Sequence, residues 1–279
     1  MPGNEMIFSI IIVNYNSGDL LEKCVSSIVK QLDPGYEIVI YDNASSDDSV
    51  SRFTSGIHGN TVIRFLYGKE NLGFAKANNL AAREAKGRFF HFLNPDIIVN
   101  EQLRKDYQAI LVNPGSPVTV TSLVDENGNL QKNRHIIPTI GNYFIRLFEK
   151  EKTAYWTIGA SVIMHRDAFH RISGWPEDYF MYAEDLDLFY MLYKAGINIC
   201  YLDTRLMHVG KGSTRNIWTE QERLLIVERS FKRFYKKQGF LWQYYLIRPI
   251  LLIFILFHES GSFGPMSKTF LKTIFTPLR

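Results

Sequence analysis

The densest acidic cluster in the chain is Asp178-Tyr179-Phe180-Met181-Tyr182-Ala183-Glu184-Asp185-Leu186-Asp187. Glu184, Asp185 and Asp187 open an apparent helix, where negative charge is favourable against the dipole, so part of the cluster stabilises that helix. The aromatic shoulder before them adds a second property. Carboxylates beside aromatic walls are partly desolvated, which raises their pKa and suits a general base that takes a proton from a hydroxyl. Asp96 follows the apolar run Phe89–Leu93 and is fixed in direction by Pro95. A carboxylate there can coordinate a hard divalent cation that completes its shell with water and phosphate oxygens, although Asn-Pro-Asp is also a common turn sequence. Asp42, directly after Glu37–Tyr41, can accept from a nucleobase N–H or cap a helix beginning near Ser45 to Asp48. His208 precedes a loop containing Gly210, Gly212, Ser213 and Thr214. A lone His is usually structural, but one before a glycine loop can ligate a metal and close over a diphosphate. No GxGxxG follows the first apolar run and no GxxxxGK[ST] occurs. Dinucleotide binding of the Rossmann kind and P-loop phosphoryl transfer therefore lose their usual support.

These residues need a scaffold, and the alternation of short β-branched runs with helical spacing describes one. Strands are predicted at Phe8–Val13, Glu37–Tyr41, Val62–Leu66 and Phe89–Leu93. Asp19–Gln31 carries Leu20, Leu21, Cys24, Val25 and Ile28 at helical spacing, and Phe74–Ala85 is an Ala-rich helix ended by Gly87. The result is a βαβαβαβ unit with a largely parallel sheet, whose ligands belong at the carboxyl ends of the strands. The segments in those places are polar: Asn14 to Asn16, Asp42 to Ser45, Lys69 to Gly73 and Asn94 to Asp96. In the second half, Val118–Leu123 followed by the turn Glu126 to Asn129 predicts a hairpin. Gly159–Met164 reads as a strand, Glu184–Ala195 as a helix, Ile197–Leu202 as a strand and Trp218–Lys237 as a long charged amphipathic helix.

The chain has 279 residues, 46% hydrophobic and 14% aromatic, enough to bury a sizeable core and incompatible with a disordered or collagen-like protein. Its two cysteines, Cys24 and Cys200, offer neither a disulfide scaffold nor a CxxC site, which points to the cytoplasm. Met1 to Met6 has no basic region of a signal peptide, and Ile7–Val13 reads as a first strand. The net charge of +4 hides an asymmetry: residues 204–279 carry 13 Lys+Arg against 4 Asp+Glu, a net of +9, and leave residues 1–203 at −5. Phe240–Phe257 reads FLWQYYLIRPILLIFILF, with Gln243, Arg248 and Pro249 interrupting it. That is a poor spanning helix, whereas Trp242, Tyr244 and Tyr245 suit a membrane interface. The expected placement is on the cytoplasmic leaflet, with Lys232, Arg233, Lys236, Lys237, Lys268 and Lys272 attracted to anionic lipid. Packing on the body or on a partner subunit is the alternative.

In order and spacing, the pieces resemble a known family, the inverting family 2 glycosyltransferases of GT-A fold, and within it the rhamnosyltransferase-like branch of bacterial envelope polysaccharide synthesis. The resemblance runs from about Phe8 to Thr214. It rests on Ile11-Ile12-Val13-Asn14-Tyr15-Asn16, Asp42-Asn43-Ala44-Ser45-Ser46-Asp47, Asn71 to Asn79, Phe92-Leu93-Asn94-Pro95-Asp96, Gly159-Ala160, Phe180 to Leu188 and His208 to Ser213. It implies an α/β GT-A domain over 1–216, with a nucleotide-binding half about 1–115 and an acceptor half about 116–216, followed by a helical, membrane-associating segment 217–279. It also implies that Tyr15 and Asp42 hold a pyrimidine base, Asp42 through its N3–H, and that Asn71, Gly73 and Asn79 line the donor site. Asn94-Pro95-Asp96 stands where the family has Asp-x-Asp. Asp96 would then ligate Mg²⁺ or Mn²⁺ with His208, and Asn94 would contact ribose or metal. Asp185 matches the catalytic base, with Glu184 and Trp156 nearer the acceptor. Two positions depart from the family pattern: Asn94 replaces the first acid, and Met191 replaces an Arg that often follows the acidic run.

The implied reaction is a single inverting displacement in which Asp185 deprotonates an acceptor hydroxyl as it attacks the anomeric carbon. The expected donor is dTDP-rhamnose or a UDP-sugar, and the expected acceptor a lipid-linked saccharide at the inner face of the cell membrane. Nucleic acid is not an expected partner, and Trp218–Lys237 could pair subunits in a homodimer. Two other readings compete. A nucleotidyltransferase would need a basic Gly-rich loop after the first strand, and Asn14 to Gly18 has no basic residue. A non-catalytic nucleotide-sugar-binding scaffold is suggested by Asn94 and Met191 and opposed by the joint presence of Asp96, Asp185 and His208.

Overall fold

The computed structural model describes residues 7–33, 35–53, 61–112, 115–210 and 218–258, the last eight by their backbone. The first half comprises β1 (Phe8–Asn14), α1 (Leu20–Gln31), β2 (Tyr36–Asp42), β3 (Val62–Tyr67), α2 (Phe74–Glu84), β4 (Phe89–Leu93), β5 (Ile97–Ile98) and α3 (Glu101–Val112). The second comprises β6 (Val118–Val124), β7 (Arg134–Ile136), α4 (Ile140–Phe148), β8 (Tyr155–Thr157), β9 (Ser161–His165), α5 (Arg166–Arg171), α6 (Glu184–Lys194), β10 (Ile199–His208), α7 (Glu220–Lys237) and α8 (Leu241–His258).

Eight strands form one mixed sheet in the order β3-β2-β1-β4-β9-β6-β10-β5. The strands β3, β2, β1 and β4 run parallel, as their near-continuous apolar sequences require when helices cover both faces. β9 then enters antiparallel between β4 and β6, and β10 lies parallel to β6. One core lies under α1 and α3 and includes Ile10, Ile12, Leu21, Ile28 and Leu103; the other lies on the opposite face and includes Ile11, Phe90, Phe92, Trp175 and Phe189. Helix α2 turns Ala75, Ala77, Ala81 and Ala82 to the second core, so small side chains let it lie close to the sheet. Gly87 is no left-handed cap: a Cβ there would sit 2.4 Å from the Ser9 nitrogen, so the residue is needed where the chain slips beside β1.

Two expectations from the sequence change here. The hairpin after β6 shrinks to a single bridge between Val124 and Leu130, and Arg134–Ile136 instead pairs with β8 in a separate two-stranded sheet. Arg134 anchors that pairing, its guanidinium lying 3.9 Å from the centre of the Tyr155 ring and 3.9 Å from that of Tyr201. The strand predicted to end at Leu202 continues to His208 after a register shift between Tyr201 and Arg205.

Helix α7 begins at Glu220 rather than Trp218, with a reciprocal capping box between Thr219 and Glu222. It packs on its own chain. Asp187 is fully buried and accepts from Lys237 Nζ at 2.8 Å, Gln238 Nε2 at 2.6 Å and the Tyr179 hydroxyl at 3.2 Å. Several basic residues expected to meet lipid are therefore engaged by their own chain. Lys237 holds Asp178 and Asp187, Arg233 donates to the Asp178 carbonyl, and Lys232 is buried beside the Tyr245 ring. Lys268, Lys272 and the expected loop residues Gly212, Ser213 and Thr214 lie outside the described residues. Among the described residues, no helix is long and apolar enough to cross a membrane.

Candidate active site

A cleft of about 670 Å³ opens at the carboxyl ends of the central strands. Its wall includes Tyr15, Asn71, Gly73, Asn94, Asp96, Trp156, Glu184, Asp185 and His208, nine of the residues singled out from the sequence.

Asp96 and His208 are distant in sequence and become neighbours through the sheet. β5 pairs antiparallel with the end of β10, placing Ile97 opposite His208, and Val209 N donates to the Asp96 carbonyl at 3.0 Å. His208 Nε2 thereby comes 3.4 Å from Asp96 Oδ2. Asp96 Oδ1 is buried with no hydrogen-bond partner, a costly state for a carboxylate oxygen that a cation in the cleft would relieve. Gln131, which the sequence reading passed over, grips His208 twice. Its Oε1 lies 2.8 Å from Nδ1, and its Nε2 donates 2.8 Å to the His208 carbonyl. An amide oxygen accepts, so Nδ1 carries a proton and Nε2 is the ring nitrogen turned toward Asp96. Among the described residues no three His, Cys, Asp or Glu side chains surround one point. A Mg²⁺ or Mn²⁺ ion held by this pair would fill its remaining positions with water and phosphate oxygens, the usual habit of such ions.

The acidic run divides by function of position. Asp187 points away, into the α7 contact described above. Glu184 and Asp185 face the cleft at the start of α6, after two consecutive left-handed residues, Tyr182 (φ 67°) and Ala183 (φ 64°). Non-glycine residues pay for such backbone with strain, which the surroundings must hold. They do: Ser230 donates to the Met181 carbonyl at 2.9 Å, and Phe74 N to the Phe180 carbonyl at 3.3 Å. Gly73 permits that approach, since a Cβ there would meet the Phe180 oxygen at 2.1 Å. Asp185 Oδ1 accepts from Leu186 N at 2.8 Å and Oδ2 from Gly159 N at 3.4 Å. Burial raises the pKa of both carboxyls, and the charge of Asp185 raises Glu184 further. Glu184 Oε2 has no partner.

The polar loops at the strand ends are stitched together. Asn43 Nδ2 donates to Asn71 Oδ1 at 2.8 Å and to the Gly73 carbonyl at 3.2 Å, while its Oδ1 accepts from Leu72 N at 2.8 Å. Two expected donor contacts are not in the cleft wall. Asp42 is occupied by Asn14 Nδ2 at 2.8 Å and by Ser45 N at 3.2 Å. Asn79 binds Trp175 through both its amide atoms, at 2.8 and 2.9 Å, and clamps α2 to that segment instead. The far wall is aromatic and partly unforeseen: His135 stacks on Trp156 with centroids 4.8 Å apart, and α7 adds Arg223 and Phe231.

A mixed sheet with such a carboxylate-lined cleft at its strand ends is a GT-A-like arrangement. Residues 9–173 match the family described as Glycosyl transferase family 2, and the chain belongs to that family. Among curated relatives, the Escherichia coli UDP-Glc:alpha-D-GlcNAc-diphosphoundecaprenol beta-1,3-glucosyltransferase WfgD is 33% identical over 95 residues, 34% of this chain and 37% of that protein. The chain aligns with only about a third of the length of the first curated relatives it matches. Two solved structures share the fold. Staphylococcus aureus TarS 1-349 in complex with UDP superposes with a TM-score of 0.57 at 20% identity, covering 83% of this chain and 72% of that one. The mannosyltransferase PcManGT from Pyrobaculum calidifontis, in complex with GDP-Man and Mn²⁺, gives 0.59 at 16% identity, covering 97% and 75%.

Proposed function

We propose that the protein is an inverting glycosyltransferase that moves a sugar from a nucleoside diphosphate to a hydroxyl of a lipid-linked saccharide. The observation that carries this reading is the meeting, in one cleft, of the Asp96–His208 pair with a buried carboxylate, Asp185, whose pKa is raised. The family relationship supports nucleotide-sugar chemistry, and the UDP complex of TarS and the lipid diphosphate acceptor of WfgD support the two substrate classes.

Tyr15 and Asn71 line the end of the cleft next to the Asn43 clamp, and in this reading they receive the nucleoside. Asp42 supports that end from behind, through Asn14. Asp96 and His208 would hold Mg²⁺ or Mn²⁺, which offsets the charge growing on the departing diphosphate. Asp185 takes the proton of the acceptor hydroxyl as its oxygen attacks the anomeric carbon from the face opposite the diphosphate. One displacement inverts that centre and leaves no covalent intermediate. Trp156, stacked on His135, offers a face for an acceptor sugar ring, and Glu184 lies within the same wall.

The donor is expected to be dTDP-rhamnose. The test is release of nucleoside diphosphate by the purified protein when dTDP-rhamnose, UDP-glucose and UDP-GlcNAc are each supplied with membrane-extracted lipid-linked saccharide and Mn²⁺. Release of dTDP alone supports the reading. Selective release of UDP would keep the transferase and overturn the sugar, and no release from any donor would favour a non-catalytic binding subunit.

Gln131 supplies a second test. Replacing it by Leu removes both contacts to His208 and should weaken Mn²⁺ binding in the presence of UDP or dTDP by about 10- to 100-fold, the usual consequence of losing a group that orients a metal-binding His. Mn²⁺ titration followed by electron paramagnetic resonance reads this directly; an unchanged affinity contradicts the role of His208.

A further inference from the structure

Two helices at one corner of the molecule expose several large apolar side chains while turning some of their polar ones inward. On α4, Phe144, Leu147 and Phe148 stand at i, i+3 and i+4 and are 59%, 75% and 82% exposed. The polar Asn142 of the same helix is buried, donating to the Ile137 and Ala154 carbonyls at 2.9 and 2.8 Å and accepting from Ala154 N at 2.8 Å. On α8, Trp242, Tyr245, Leu246 and Ile250 share an exposed face. Arg248 was expected to interrupt that face, yet it is turned inward onto Glu228, which also accepts from the Tyr244 hydroxyl at 2.7 Å. Gln243 is turned in as well, its Oε1 accepting from Ile140 N at 2.9 Å at the start of α4.

Each helix also packs apolar groups inward, but an outer face this apolar is not that of a water-facing amphipathic helix. Burying an Arg–Glu pair costs desolvation of both ions, and exposing large apolar groups to water costs again. Both arrangements become favourable if the outer face meets hydrocarbon. The surroundings fit an anionic lipid surface. Arg146 and Lys150 are exposed on and just beyond α4, with Lys152 paired to Glu149 and Glu151 exposed between them, a local net of +1, and Lys236 is exposed at the end of α7. Trp242 and Tyr245 are of the types that settle at the headgroup level. The Ile140–Gln243 bond joins the starts of the two helices. Phe231 of α7 links this corner to the cleft, lining the cleft itself, meeting the Trp156 ring at 6.5 Å and lying 5.5 Å from the Arg248 guanidinium.

We propose that the outer faces of α4 and α8 form one shallow membrane-contacting surface that seats the cleft mouth beside an anionic leaflet. The proposal rests on the peripheral-membrane reading of the C-terminal segment and adds α4 as a second, independent contact. The test is flotation of the full chain with vesicles of equimolar phosphatidylglycerol and phosphatidylethanolamine. The variants are F144S/L147S/F148S on α4, the single Leu147→Asp, and W242S/L246S/I250S on α8. Each triple variant should weaken vesicle partition by about 10-fold or more, Leu147→Asp should weaken it in the same direction, and the α4 variants should keep the wild-type melting temperature, since the altered groups are exposed. Wild-type flotation by both α4 variants overturns the contribution of α4, while loss of flotation by the α8 variant keeps the tail reading. A wild-type chain that does not float overturns both. A dimer of the wild type that the α4 variants dissolve, seen by light scattering, would assign this face to a second copy of the chain and overturn the lipid assignment.

Discussion

Asp185→Asn is expected to lower kcat by about 10²- to 10⁴-fold, the usual contribution of a positioned general base, with little change in donor affinity. The substitution keeps the shape of the side chain and removes its capacity to accept a proton. Asp185 is suited to the role by its surroundings: it opens α6 at the cleft, its oxygens are oriented by Leu186 N and Gly159 N, and Gly159 can approach only because it has no side chain. A Cβ at Gly159 would meet Trp175 at 2.8 Å. Burial raises the pKa of Asp185, which sets the sign of the pH dependence. The base works when deprotonated, so activity should be full above its raised pKa and fall as pH drops through it, at a pH above the ordinary Asp value of about 3.9. The Asn variant should lose that acid limb together with its rate. Turnover within a few fold of wild type in a folded Asp185→Asn protein would remove Asp185 from the role of base.

Asp96→Ala should abolish the cation dependence of nucleotide binding. The pair available to a cation is Asp96 and His208, and the loss of the carboxylate leaves a single imidazole. His208 cannot compensate, because its orientation is set by Gln131 rather than by the ion. Binding of UDP or dTDP in the presence of Mn²⁺ should then fall to the level seen without the metal, while the fold persists: Asp96 holds the local ladder through its backbone carbonyl, which Val209 N still reaches.

The parts of this molecule written in local periodicity were legible before the structure. β1, β2, β4, α1, α2 and α6 follow apolar spacing that needs no partner to be recognised, and the polar segments after the strands do gather at one cleft. What escaped depends on pairings between distant segments. Gln131 follows a surface turn, and nothing in its neighbourhood reveals that the β10 terminus returns to meet it. Asn79 has the type and place of a ligand contact, but Trp175 docks against it from elsewhere in the chain. Arg248 was read as a charge that spoils an apolar run, whereas Glu228 on the preceding helix takes it out of that face. The hairpin after β6 gives way to pairing of Arg134–Ile136 with β8, a distant strand, with Tyr155 of β8 and Tyr201 of β10 flanking Arg134.

The measurement that bears most directly on the central claim is calorimetric titration of the full chain with UDP, dTDP and GDP, each with and without Mn²⁺, beside the Asp96→Ala variant. Saturable binding of UDP or dTDP that requires Mn²⁺ in the wild type and is lost in the variant is the predicted result. Binding that ignores the metal, or is unchanged by Asp96→Ala, would contradict a diphosphate held through a cation on Asp96 and His208.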